Sequence, residues 1–182
     1  MCHYITAVLP RSADHVRLDA IAREHGRQFV RLSNPGIEAQ LEADEQYFLT
    51  TVGHCDCGTP LGAFARAEDE VPDWLAQEQR LLKKGWSKSK AARAIAQKQE
   101  DYRSSSSASA AESSSQLSGW VDFIRAALGP GKASHMGLLL HMYSGPVDSC
   151  IELEGRVEIR TSKLTVEVLG NMKEDVLYVF RH

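Results

Sequence analysis

The sequence predicts an α+β fold. Three observations carry the prediction. Short β-branched and apolar segments lie at both ends of the chain, a helical pattern fills the middle, and residues 164–168 alternate apolar with polar side chains. A length of 182 residues suits one domain with a real core.

Residues 2–9 are apolar enough for a buried strand, which Pro10 ends. Asp14 stands where a helix cap belongs. Val16, Leu18, Ile21 and Ala22 form the stripe of that helix, and Gly26 its C′ stop. Residues 28–32 read as a second strand. Asn34-Pro35-Gly36 is turn chemistry, and a short helix is expected over 37–41. Residues 46–52 form a third strand, followed by the loop 53–60, whose glycines and proline stop it.

From Pro72 the pattern is helical, with Pro72 and Asp73 suited to a helix start. Gly85 interrupts, and Ser87 can cap a second helix that reaches residue 103. Residues 72–103 are thus expected as an inserted helical hairpin. Residues 104–118 hold nine serines in fifteen positions and are expected as a flexible loop. An amphipathic helix follows over 117–128. The continuous apolar run 135–143 suggests a central strand. Residues 147–153, 156–161, 164–168 and 175–180 are then expected as an antiparallel meander. The element order admits a ferredoxin-like βαββαβ start with a helical insertion and that added C-terminal sheet.

Composition excludes two classes. No apolar run approaches the ~20 residues of a membrane span. A net charge of −3, from 21 Lys+Arg against 24 Asp+Glu, argues against a nucleic-acid coat. The first ten residues carry no basic leader, and four cysteines are few for a disulfide framework. Reduced thiols in a cytoplasm are expected.

The densest chemistry is His54-Cys55-Asp56-Cys57. Two thiolates and an imidazole suit a borderline-soft ion such as zinc, in a structural or hydrolytic role. Asp56 is read as solvent-facing. Further ligands are drawn from Cys2, His3, His135, His141 and Cys150. Strands one and three are expected to run as parallel neighbours, which sets Cys2 far from the loop and favours His135. A different pairing favours Cys2 and His3. The same Met1-Cys2 resembles the opening of class II glutamine amidotransferases over those two residues, which implies a nucleophilic Cys2. No other catalytic motif is present, and the chain is not expected to be an enzyme.

Charge is unevenly spread. Residues 80–98 contain seven Lys/Arg and no Asp or Glu, which leaves 14 basic against 24 acidic residues elsewhere. Glu152, Glu154, Glu158 and Glu167 fall where strands are expected, so they can share one sheet face. Lys83, Lys84, Trp86, Lys88, Lys90 and Arg93 offer cations around an aromatic anchor. A non-enzymatic protein that binds a protein partner is the leading expectation. This compact, acidic, motif-free character resembles that of small bacterial immunity proteins, which implies toxin neutralisation by occlusion. A zinc-binding protein is the alternative. Nucleic acid is not the expected partner of so acidic a body.

Overall fold

The computed structural model describes residues 2–61 and 73–182, with backbone alone for 102–111. Met1, the expected helix start at Pro72 and that residue's expected role lie outside the described residues. The elements are β1 (Cys2–Pro10), α1 (His15–Glu24), β2 (Val30–Arg31), α2 (Pro35–Glu38), β3 (Glu45–Leu49), α3 (Trp74–Lys83), α4 (Lys88–Ala127), β4 (His135–Tyr143), β5 (Gly155–Arg160), α5 (Val166–Gly170) and β6 (Val176–Arg181). Helices and a mixed six-stranded sheet make this an α+β protein, the expected class. The chain divides into two compact units. One joins Met1–Phe64 to Ser115–His182, and the other is Ala65–Ser114.

In the first unit the sheet order is β2-β3-β1-β4-β6-β5. β1 and β4 are central and buried in their middles because both faces are covered, with Thr6 the one polar side chain there. On one face Ile5, Ala7, Leu9, Phe48, Leu138, Leu140 and Phe180 share a core with Leu18 of α1, Phe123 and Ile124 of α4, and Leu169 of α5. On the other face Val8, Tyr47, Leu139, Tyr143, Leu177 and Val179 pack with Ile37 and Ile151. Asp14 caps α1 by accepting from Arg17 N, as the sequence predicts. Gly26, at φ +65°, closes it: Gly26 N donates to Arg23 O at 3.0 Å and Arg27 N to Ala22 O at 2.7 Å.

The order β2-β3-β1-β4, antiparallel between all neighbours with α1 and the end of α4 as crossovers, is the expected ferredoxin-like βαββαβ start; only the parallel direction expected of β1 and β3 is not found. β1 and β3 run antiparallel, with Thr6 opposite Leu49 and Pro10 opposite Glu45. β1 also pairs antiparallel with β4, Cys2 opposite Tyr143. The C-terminal region is not a meander either. β5 and β6 are parallel neighbours, Arg156 opposite Leu177. A parallel pair needs a crossover, and the 3₁₀ turn Thr161–Lys163 with α5 supplies it. The alternating run 164–168 therefore opens a helix. Thr165 caps it by accepting from Val168 N, and Leu164, Leu169 and Met172 turn inward. Five residues are too few for alternation to distinguish the two periods. Residues 147–154 form no strand, because side-chain amides take the place of a neighbouring backbone. Asn34 donates to Ser149 O at 2.8 Å. Gln40 donates to Ile151 O and accepts from Leu153 N, both at 2.8 Å.

The second unit holds the hairpin. Asp73 caps α3 by accepting from Ala76 N at 2.9 Å. Gly85, at φ +83°, ends it: Gly85 N donates to Leu82 O and Trp86 N to Leu81 O. α4 then runs unbroken through the serine-rich stretch expected as a loop. No glycine or proline lies between Lys88 and Ser118. Serine costs a helix only a fraction of a kcal/mol relative to alanine. A break would instead create two further helix ends with orphaned backbone groups.

Candidate metal centre

β3 leaves the sheet at Leu49, so the first residues of β1 lose their neighbour on that side. The cysteine loop replaces it. Thr50 N and Thr50 Oγ1 both donate to Ile5 O, at 3.2 and 2.6 Å. Asp56 N donates to His3 O at 2.9 Å. Ile5 N donates to Asp56 Oδ2 at 3.0 Å, and His3 N donates to Cys57 Sγ at 3.1 Å. Backbone groups of His3 and Ile5 are thus satisfied by the loop rather than by a strand.

Asp56 is the anchor of this arrangement. It is 2% exposed, which corrects the expectation of a solvent-facing side chain. Its carboxylate accepts from Ile5 N, from Thr51 Oγ1, and from Arg27 at 2.9 Å. The Arg27 guanidinium in turn lies 4.1 Å over the Trp120 ring. Thr59 N and Thr59 Oγ1 both donate to Asp56 O at 2.9 Å and turn the chain away. With Asp56 pinned inward, the cysteines on either side of it are held at the end of β1.

There Cys2, Cys55 and Cys57 converge, with their three sulfurs all within 4.8 Å of one another. All three are half-buried free thiols. Antiparallel pairing of β1 with β3 brings them together, since it sets the start of β1 beside the loop that follows β3. Two of the five expected metal residues lie elsewhere. His54 belongs to the same loop but is exposed and outside the cluster. His135 sits at the opposite end of its strand, opposite Arg181, and its Nε2 meets buried Glu45 at 3.0 Å. That carboxylate also receives both terminal nitrogens of Arg156, at 2.7 and 2.9 Å. His141 pairs with Asp175, and Cys150 is exposed.

The electrostatics mark a thiolate environment. Cys57 is pulled down to about 7, first by the hydrogen bond from the His3 backbone, then by the Cys55 thiol and the His3 ring. For Cys55 the Cys57 backbone hydrogen bond acts downward, but the neighbouring thiols and burial outweigh it and the net direction is up. Tyr4 is pushed up by burial and by negative charge on Cys2, Cys55, Cys57 and Asp56. Such a site holds one proton-poor sulfur, Cys57, beside one that resists ionisation, Cys55. A bound cation relieves that resistance.

Two further residues belong to the site and were not singled out as a pair from the sequence. His3 Nε2 donates to Glu174 Oε1 at 2.8 Å, across 171 residues. No local signal links them; only the fold does.

The residues expected to bind a partner are scattered. Glu158 alone stands on a strand, and it pairs with Arg181 at 3.1 Å. Glu152 and Glu154 lie in the loop before β5, and Glu167 in the first turn of α5. The shared acidic sheet face is therefore not formed. In the hairpin, Lys83, Lys84, Lys88, Lys90 and Arg93 are exposed, and Lys90 Nζ lies 4.3 Å from the centre of the half-buried Trp86 ring.

No helix among the described residues is long and apolar enough to cross a membrane. No protein-family model matches the chain, and comparisons with curated proteins and with solved structures find no match.

Proposed function

We propose that the protein binds a thiophilic divalent ion of the zinc class through Cys2, Cys55 and Cys57. The observation that carries this reading is the convergence of three free thiols within 4.8 Å, from segments more than fifty residues apart. Tetrahedral zinc with bonds of about 2.3 Å sets its sulfurs about 3.8 Å apart. A contraction of an ångström or less suffices. The ion would tie the loop to the central strand, so metal binding and folding would share one free energy. Metal analysis of protein purified under reducing conditions, with Co²⁺ titration, tests this. One equivalent of Zn²⁺ and a sulfur-to-cobalt charge-transfer band are expected. Absence of both, in folded and reduced protein, overturns the reading.

A second reading rests on the hairpin. Among the described residues, Lys83, Lys84, Lys88, Lys90 and Arg93 make no ion pair with a carboxylate. An uncompensated basic face around Trp86 fits an acidic protein surface, and occlusion of a toxin is the form the sequence suggests. The probe is an acidic, glutamate-rich peptide, read by tryptophan fluorescence at low and high salt. Binding lost on Lys83→Glu/Lys84→Glu/Lys88→Glu supports it. No binding at low salt, or tighter binding to a single-stranded oligonucleotide, counts against it.

A further inference from the structure

Ser134, His135 and Glu45 stand in line at the end of the sheet away from the cysteines. Ser134 Oγ lies 3.2 Å from His135 Nδ1, and His135 Nε2 lies 3.0 Å from Glu45 Oε1. His135 and Glu45 are buried, whereas Ser134 is exposed. Chemistry fixes the direction of both hydrogen bonds. The Glu45 carboxylate already accepts from both terminal nitrogens of Arg156, at 2.7 and 2.9 Å, and from Glu42 N at 2.9 Å. A carboxylate so held is ionised and can only accept. The neutral imidazole therefore carries its hydrogen on Nε2 and its lone pair on Nδ1. The Ser134 hydroxyl donates to that lone pair, which is the resting arrangement of a serine beside its base.

The hydroxyl also opens onto space. Ser134 lines a cavity of about 370 Å³ with Ser12, Leu128, Pro130, Lys132 and His182, at the small end of ligand pockets. Gly131 and Ala133 line it too, and their N–H groups donate to no carbonyl among the described residues. Lys132 Nζ donates to Ala126 O at 2.9 Å, and an ammonium has two more hydrogens to give. Backbone N–H groups and a cation beside a nucleophile are the parts of an oxyanion site. Behind the histidine, three carboxylates (Glu42, Glu45, Glu158) share two guanidiniums (Arg156, Arg181). Three against two leaves one negative charge, which an imidazolium formed during a reaction would balance.

We infer that Ser134 is the nucleophile, His135 the general base and Glu45 the positioning residue of a site that hydrolyses esters of small acyl groups. The site is independent of the cysteine centre. Ser134 Oγ attacks the ester carbonyl carbon while its proton passes to His135 Nδ1. The carbonyl electron pair moves onto oxygen, then returns as the bond to the alcohol oxygen breaks. The departing alkoxide takes the proton from Nδ1. Water attacks the acyl-serine by the same route: Nδ1 takes its proton and returns it to Oγ as the carboxylic acid leaves.

The test uses the full chain with a fluorophosphonate probe and with p-nitrophenyl acetate. Peptide mass spectrometry is expected to find the phosphonyl group on Ser134 of folded protein and nowhere on protein unfolded in urea. Ser134→Ala, an exposed change, is expected to lower kcat about 100-fold or more. Ser144→Ala, exposed at the opposite end of β4, is expected to leave it unchanged. Glu45→Gln is expected to lower kcat about 10-fold or more at unchanged KM. Circular dichroism separates lost catalysis from lost folding. If Glu45→Gln does not fold, Ser134→Cys gives a second readout, an acetyl thioester at position 134. Hydrolysis that persists in Ser134→Ala overturns the inference and assigns the chemistry elsewhere, to the cysteines if their alkylation abolishes it. A label on another residue overturns it too, as does folded protein with neither label nor hydrolysis. Unchanged kcat in folded Glu45→Gln removes Glu45 from the site.

Discussion

Replacing Asp56 by Asn should loosen the whole cysteine loop, although the side chain keeps its size. The carboxylate has two receiving faces. One accepts from Ile5 N and Thr51 Oγ1, and the other from Arg27. An amide has one oxygen and one NH₂ group. If its oxygen serves Ile5 and Thr51, the NH₂ points at the guanidinium, and a largely buried cation loses its partner. If it is reversed, NH₂ opposes the Ile5 N–H. Either way one charge-assisted bond goes, at about 1.5–3 kcal/mol, and one buried donor is left unpaired, at about 1–3 kcal/mol. The expected loss is about 3–5 kcal/mol, the range seen when one partner of a buried pair is removed. For a chain of this size that corresponds to a fall in Tm of about 6–20 °C. Urea unfolding of metal-free, reduced protein measures it, with the midpoint falling at constant slope. Co²⁺ affinity should fall in parallel, because the two flanking cysteines lose their anchor. A loss under about 1 kcal/mol, or full Co²⁺ affinity in the variant, would refute the claim that Asp56 organises the site.

Two further outcomes are expected. Glu45 is buried, which opposes its ionisation, but hydrogen bonds from His135 and Arg156 hold it well below the usual carboxylate range. A depressed native value stabilises the fold above the unfolded value of about 4.3 and loses that contribution as pH falls below it. Urea midpoints between pH 6 and 3 should therefore drop less steeply in Glu45→Gln than in the unaltered protein; equal slopes would contradict this. On β4, a Cβ added at Gly137 would lie 2.9 Å from Leu177 Cδ1 and 3.0 Å from Val8 Cβ. Gly137→Ala should cost about 1–3 kcal/mol by overpacking, and a neutral result in thermal melts would mean that the two covered faces are less tightly packed than they stand.

Much of the fold was legible where one physical signal acts alone. Gly26 and Gly85 stop helices because only glycine enters the left-handed region cheaply, and both stand there. The run 136–140 is apolar throughout because both faces of β4 are covered. Reading failed where a partner distant in sequence decides. Nothing local says that Gln40 and Asn34 will take the place of a strand beside 147–153, or that β5 and β6 will run parallel. Residues 104–118 carry the composition of a loop, but their neighbours on both sides are helical. The metal candidates show the same division. Cys55 and Cys57 announce themselves by spacing. Cys2 joins them only because β1 and β3 pair antiparallel, where parallel neighbours were expected. Asp56 looked exposed because an acid between two cysteines in a glycine-bounded loop usually faces water; its guanidinium partner comes from the end of α1.

The central position of β1 has a kinetic consequence. Its two neighbours are β3 and β4, and the second reaches it only after more than 120 intervening residues. Closing so long a loop must precede the contacts that reward it, and folds built on such pairings assemble in milliseconds to seconds rather than microseconds. During that interval the Cys55–Cys57 pair can capture an ion on its own, while Cys2 waits for its strand to dock. An ion taken up early by the loop would lie ready at the edge that β1 must find, and a strand that mispairs by one residue would turn Cys2 to the wrong face. With an ion bound as proposed, the register of β1 beside β3 would thus be checked by a chemical bond before β4 arrives.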